Sequence, residues 1–133
     1  VYKRQGQYRS LIQNEGDITP YVPPGHEGTV NYRLVDKDFS GAFEMNLGIV
    51  QPGGEASPHL HEDEHQIIYI LDGTADVVLG DDPAVECGPG TVVRIPPKVL
   101  HAVYTTGDTP LRALVLYSPP LGPRDERPVS GTS

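Results

Sequence analysis

The chain has 133 residues and a formal charge of −8, from 18 acidic residues against 10 Lys plus Arg. That length suits one domain with a single modest core, and so acidic a surface argues against nucleic acid or anionic membrane as partners. Hydrophobic content of 37% with 15 Gly and 14 Pro marks a folded, turn-rich chain, too apolar to be disordered.

In chain order, residues 1–27 hold no clear period and read as an arm, loose or with a short helix, with His26 in a loop. "GTVNYRLVD" (28–36) and "AFEMNLGIV" (42–50) read as strands. In the second, Phe43, Met45, Leu47 and Ile49 alternate with Ala42, Glu44, Asn46 and Gly48, so one set faces the core. "QPGGEAS" reads as a turn from its Pro-Gly-Gly. Further strands are expected at "HQIIYILDG" (65–73), "ADVVLG" (75–80), "TVVRIP" (91–96), "HAVYTT" (101–106) and "LRALVLYS" (111–118). Turn formers such as "GDDP" and "GDTP" separate several of them. Short strands at regular spacing predict an all-β antiparallel sandwich or barrel over 28–118. Residues 119–133 are Pro-rich and polar and read as an extended, partly disordered tail. The lone cysteine, Cys87, has no internal partner, which fits a reducing, cytoplasmic setting, and no apolar run approaches membrane-span length.

Chemistry concentrates in "PHLHEDEHQ" (58–66). On a strand, His59 and His61 at i and i+2 point the same way. Gln66 shares a face with Ile68 and Ile70, and His101 opens a later strand in phase with Val103 and Thr105. The acids Glu62, Asp63 and Glu64 read as a solvated turn, with His65 facing outward. Ligands from separate strands converging on one point are how a rigid β scaffold assembles a metal site.

The flanks of this cluster resemble the cupin superfamily. Its first signature, G-x5-H-x-H-x(3–4)-E-x6-G, is matched by Gly53, His59, His61, Gln66 and Gly73. Its second, G-x5-P-x-G-x2-H-x3-N, is matched by Gly90, Pro96 and His101. Three positions depart: Gln66 stands for glutamate, Lys98 for glycine and Thr105 for asparagine. The short gap between signatures is similar to that of small, single-domain bacterial cupins.

The resemblance implies a jelly-roll-like cupin β-barrel holding a divalent transition metal (Fe, Mn, Ni, Co or Zn) on His59, His61, Gln66 and His101. A glutamate would cancel one of the metal's two positive charges, whereas the Gln66 amide cancels none. The centre is then a stronger Lewis acid and a poorer support for high oxidation states. The expected function is a metal-dependent lyase or isomerase on a small oxygenated substrate bearing a carboxylate or enol. The alternatives are an oxygen-dependent dioxygenase and a non-catalytic metabolite- or sugar-binding cupin. A His/His/Gln/His set also resembles cupins that open unsaturated uronate rings. However, the Asp-x-Phe-x-Pro pattern of those proteins reads here as Val115, Leu116, Tyr117, Ser118, Pro119. Tyr117 and Tyr32 are the candidate acid/base residues. A homodimer is the expected assembly.

Overall fold

The computed structural model describes residues 6–121 and 126–129. It is all-β: a ten-stranded antiparallel sheet curled upon itself. The strands are β1 (Tyr21–Val22), β2 (His26–Val35), β3 (Glu44–His59), β4 (His65–Asp72), β5 (Thr74–Leu79), β6 (Val85–Cys87), β7 (Val92–Ile95), β8 (His101–Thr106), β9 (Leu111–Ser118) and β10 (Arg127–Pro128). Among the described residues, only short 3₁₀ turns and one helical turn, Lys37–Ser40, accompany them. Among the described residues no helix is long and apolar enough to cross a membrane.

Strand β3 is the hinge of the architecture. Its first half pairs with β9 from Glu44↔Tyr117 to Val50↔Leu111, and β9 pairs with β4, which pairs with β7. Its second half pairs instead with β8, ending at His59↔His101, and β8 leads on through β5 to β6. One strand therefore belongs to both walls of the barrel. Between the halves, "QPGG" is a bend inside a continuous strand rather than the turn its composition suggests. Strand β2 follows β3 across the bend, its register jumping from Thr29↔Val50 to Glu27↔Glu55.

Alternation along β3 holds, and the interior set is the polar one. Glu44 and Asn46 are buried at 3% and 0% exposure, while Gly48 and Val50 line the barrel cavity. Two walls then close over an apolar core that includes Ile68, Ile70, Ala75, Val77, Val93, Ile95, Val103, Leu111 and Ala113. Nonpolar area removed from water on these facing surfaces is the main stabilising contribution. Tyr69, on the opposite face of β4 from Ile68 and Ile70, is exposed at 42% and packs against no second sheet.

The described parts of the two terminal segments carry more regular structure than their composition suggests. β1 and the first residues of β2 lie within the expected N-terminal arm, and β10 lies within the expected tail. β10 pairs with β1 through Tyr21↔Pro128 and Val22↔Arg127, and Leu121 is buried. The rest of the expected tail, 122–125 and 130–133, falls outside the described residues, as do 1–5.

Candidate metal centre

Register alone brings His59 and His101 together. They are a cross-strand pair at one end of β3 and β8, and directly opposed residues in an antiparallel pair project to the same side. Their ring centroids lie 4.3 Å apart. His61 arrives differently: β3 stops at His59, so His61 sits in the following loop and not on the strand. The Lys98 amide donates to the His61 carbonyl at 2.7 Å, tying this loop to the one before β8. Lys98 takes a left-handed φ of 68°, the conformation a glycine adopts freely, which explains why the cupin signature has glycine there. The turn is kept here with a lysine.

Each of His59, His61 and His101 offers one ring nitrogen, and these nitrogens lie within 4.8 Å of one another. Backbone carbonyls set the tautomers of two of them. The His59 Nδ1–H donates to the Ser57 carbonyl at 2.7 Å, and the His101 Nδ1–H donates to the Val99 carbonyl at 2.9 Å. A carbonyl only accepts, so the proton sits on Nδ1 and the Nε2 lone pair is directed elsewhere. Burial is the largest influence on His101 and pushes its pKa down; the Val99 bond opposes this and His59 adds to it. A neutral imidazole is the form that binds a cation.

Gln66 comes from the other wall. In register across that wall lie Ile95, Gln66, Tyr117 and Glu44, all buried and facing the interior. Gln66 lines the same cavity as His59. Among the described residues, its Oε1 and the His101 Nε2 are buried with no hydrogen-bond partner. A buried acceptor left unsatisfied costs about 1–3 kcal/mol, and two in one polar cluster fit a site built for a cation. The donor set of imidazole nitrogens and an amide oxygen suits a divalent transition metal and does not select one.

The two tyrosines separate by strand phase. Tyr117 is buried, lines the cavity and meets the His61 ring edge-on at 5.3 Å. Tyr32 is paired with Leu47, whose neighbours Asn46 and Gly48 hold the interior face, so Tyr32 points away from the cavity. Arg33, its alternate, takes the inward position opposite Asn46. His26 was missed. It lies on β2 rather than in a loop, lines the cavity, and its ring stands 6.2 Å from that of His59. No spacing in the sequence points to it, because its orientation depends on a bulge.

Residues 46–117 match the cupin domain. The chain belongs to the cupin family. Among curated relatives, this cupin is 35% identical over 109 residues to protein SchB of Streptomyces halstedii, covering 79% of this chain and 77% of that one. Among solved structures it is similar to the polyketide cyclase RemF of Streptomyces resistomycificus, with TM-score 0.72, 31% identity and 89% and 84% of the two chains covered. It is also similar to a predicted oxalate decarboxylase of Thermotoga maritima, with TM-score 0.72, 25% identity and 80% and 97% covered. A polyketide cyclase and a predicted oxalate decarboxylase on one scaffold leave the reaction open. A histidine cluster in this family suggests a metal ion.

Proposed function

We propose that this cupin is a metal-dependent lyase or isomerase acting without redox change on a small keto- or enol-bearing substrate, with dehydrative cyclisation of a polyketone as the specific reaction. The observation that carries the reading is the clustering of three imidazoles, His59, His61 and His101, with the Gln66 amide and no carboxylate among them, at the edge of a mostly apolar chamber. Its support from relatives is the likeness to RemF, a polyketide cyclase, over most of both chains.

A divalent metal held on these four side chains would supply Lewis acidity toward a substrate oxygen. The protein's own groups do the rest. The Ser57 and Val99 carbonyls fix the His59 and His101 rings before any ligand arrives, which removes a reorganisation cost from the reaction. Gln66 contributes an oxygen without a charge, so an enolate meets no carboxylate in the ligand set. Ile68, Val103, Leu111 and Ala113 give the cavity a nonpolar wall. That cavity measures about 60 Å³, room for only the oxygen-bearing end of an extended substrate. Tyr117, buried in the cavity lining, edge-on to the His61 ring and across from Glu44, would give or take a proton at that end.

The test uses zinc-loaded protein under strict anaerobiosis with a linear polyketone, following cyclised product. Turnover with zinc and without oxygen is expected, and Gln66→Glu should lower kcat by about tenfold or more, equivalent to about 1.4 kcal/mol of barrier. A strict need for oxygen and a redox metal would instead establish a dioxygenase. Undiminished turnover in Gln66→Glu with zinc would remove the Lewis-acid argument.

A further inference from the structure

Because β3 turns Glu44, Asn46 and Gly48 into the barrel, its apolar set, Met45, Leu47 and Ile49, faces outward. Cross-strand partners extend that character over the sheet. One outward row runs Val92, Tyr69, Leu114, Leu47, Tyr32, and the next runs Arg94, Ile67, Leu116, Met45, Val35; each crosses β7, β4, β9, β3 and β2 in turn. Arg94 is the one charged residue in the two rows. An antiparallel sheet with a solvated face alternates apolar with polar residues. Here the outer face is apolar where the inner face carries a carboxylate and amides.

Leu47, at the centre, is already buried, whereas Ile67 and Val92 stand 40% and 38% exposed beside Tyr69. Among the described residues no other sheet lies over them. The N-terminal segment reaches only the margin of the face, where Glu15 lies 3.9 Å from Arg112, and its own Tyr8, Leu11 and Ile12 remain exposed. The face covers five strands and the residues from Glu44 to Val50, roughly 24 Å each way and about 600 Å². Each partner in a stable interface contributes about 600–1,000 Å², so a single second layer of the same size is enough to close it. Neither row contains a carboxylate, so closure leaves the formal charge of −8 in water and desolvates no acid.

We propose that two copies of the chain pack through this outer face, sheet against sheet about a twofold axis, and make a second core from Ile67, Tyr69, Val92, Leu114, Leu116 and Met45. A twofold axis lays one patch on its own image, which suits a face with no charge pattern to select a foreign partner. Facing sheets about 10 Å apart interdigitate side chains of this size. The expected homodimer thereby gains a defined surface. Ile67 and Leu116 are the chain neighbours of Gln66 and Tyr117, so the interface backs the wall that carries both.

Sedimentation equilibrium of the full chain, from about 5 to about 200 µM, should give twice the chain mass. Tyr69→Lys enters a twofold interface twice, and at about tenfold per copy should raise the dimer dissociation constant about a hundredfold. Val92→Lys, on the same face, should also weaken the dimer, which keeps the test open if circular dichroism shows Tyr69→Lys misfolded. Val85→Lys, at an apolar β6 residue 60% exposed and off the face, should leave the dimer intact. Hydroxyl-radical footprinting should protect Tyr69 and Met45 at high protein concentration relative to low, and leave Tyr8 unprotected. A wild-type monomer at the highest concentration overturns the inference and leaves the face to another partner. A dimer that survives both face variants, or that Val85→Lys splits, overturns it too. Protection of Tyr8 without Tyr69 has the same result and would make the N-terminal segment the joint.

Discussion

At His101, burial and the proposed role require the same protonation state. The ring is 2% exposed, and burial is the main reason its pKa falls below the ordinary imidazole value of about 6.5. Above that value the imidazole is neutral in both the folded and unfolded protein and has no effect on their balance. Below it, the unfolded chain takes up a proton that the folded one resists, so stability is lost as pH falls toward the folded-state pKa. Metal-free protein should therefore melt at a lower temperature at about pH 5.5 than at about pH 7.5, and His101→Gln should flatten that dependence. Equal pH profiles in wild type and variant, followed by circular dichroism, would assign the effect to other groups. Bound zinc should steepen the acid loss, because protons and metal compete for the same nitrogen.

At the scale of the element, the bend in β3 decides where His59 ends up. Gly54 packs so tightly that a Cβ there would lie 2.7 Å from the Glu27 carbonyl oxygen, 2.8 Å from Val50 Cγ1 and 2.9 Å from the Gln51 carbonyl oxygen. Two of these three obstacles are backbone, which yields less readily than a side-chain tip. Gly54→Ala should cost about 1–3 kcal/mol in urea denaturation and weaken zinc uptake, because the bend must open before the strand reaches His59. An unchanged midpoint would show that the crossing tolerates a side chain. The same bend marks the limit of what periodicity shows. Strands 65–73, 101–106 and 111–118 are legible because their alternation runs unbroken, and β9 matches its expected span, Leu111–Ser118. The four residues proposed as ligands are legible because two signatures fix their spacing. The long β3 is not, since Pro and Gly read as a turn whether the chain reverses or merely changes wall. His26 is invisible for a related reason: one bulge residue inverts the parity from which its direction would be inferred.

For the whole molecule, the C-terminal segment is docked onto the barrel by charge as well as by strand pairing. Glu44, buried at 3% exposure, accepts from the Leu121 amide at 2.9 Å and from Asn46 Nδ2 at 3.2 Å. Arg33 Nε lies 3.5 Å from the same carboxylate, and its Nη2 bonds Glu126 at 2.6 Å. Tyr21, beneath the Arg33 guanidinium, donates to Asn46 at 3.0 Å. Elements at opposite ends of the sequence thus meet on one interior carboxylate, directly across from Tyr117. Composition gave no hint of this, because a Pro-rich polar run reads as solvated until its partner is known. Glu44→Ala strands the Leu121 amide and Asn46 Nδ2 together, and should cost about 1–3 kcal/mol in urea denaturation. Limited proteolysis should then cut beyond Ser118 faster than in the wild type. Glu44→Gln keeps an oxygen for the Leu121 amide and should lose less. Zinc stoichiometry should survive both changes, because Glu44 lies outside the proposed ligand set; loss of metal from Glu44→Gln would instead make this carboxylate part of the centre.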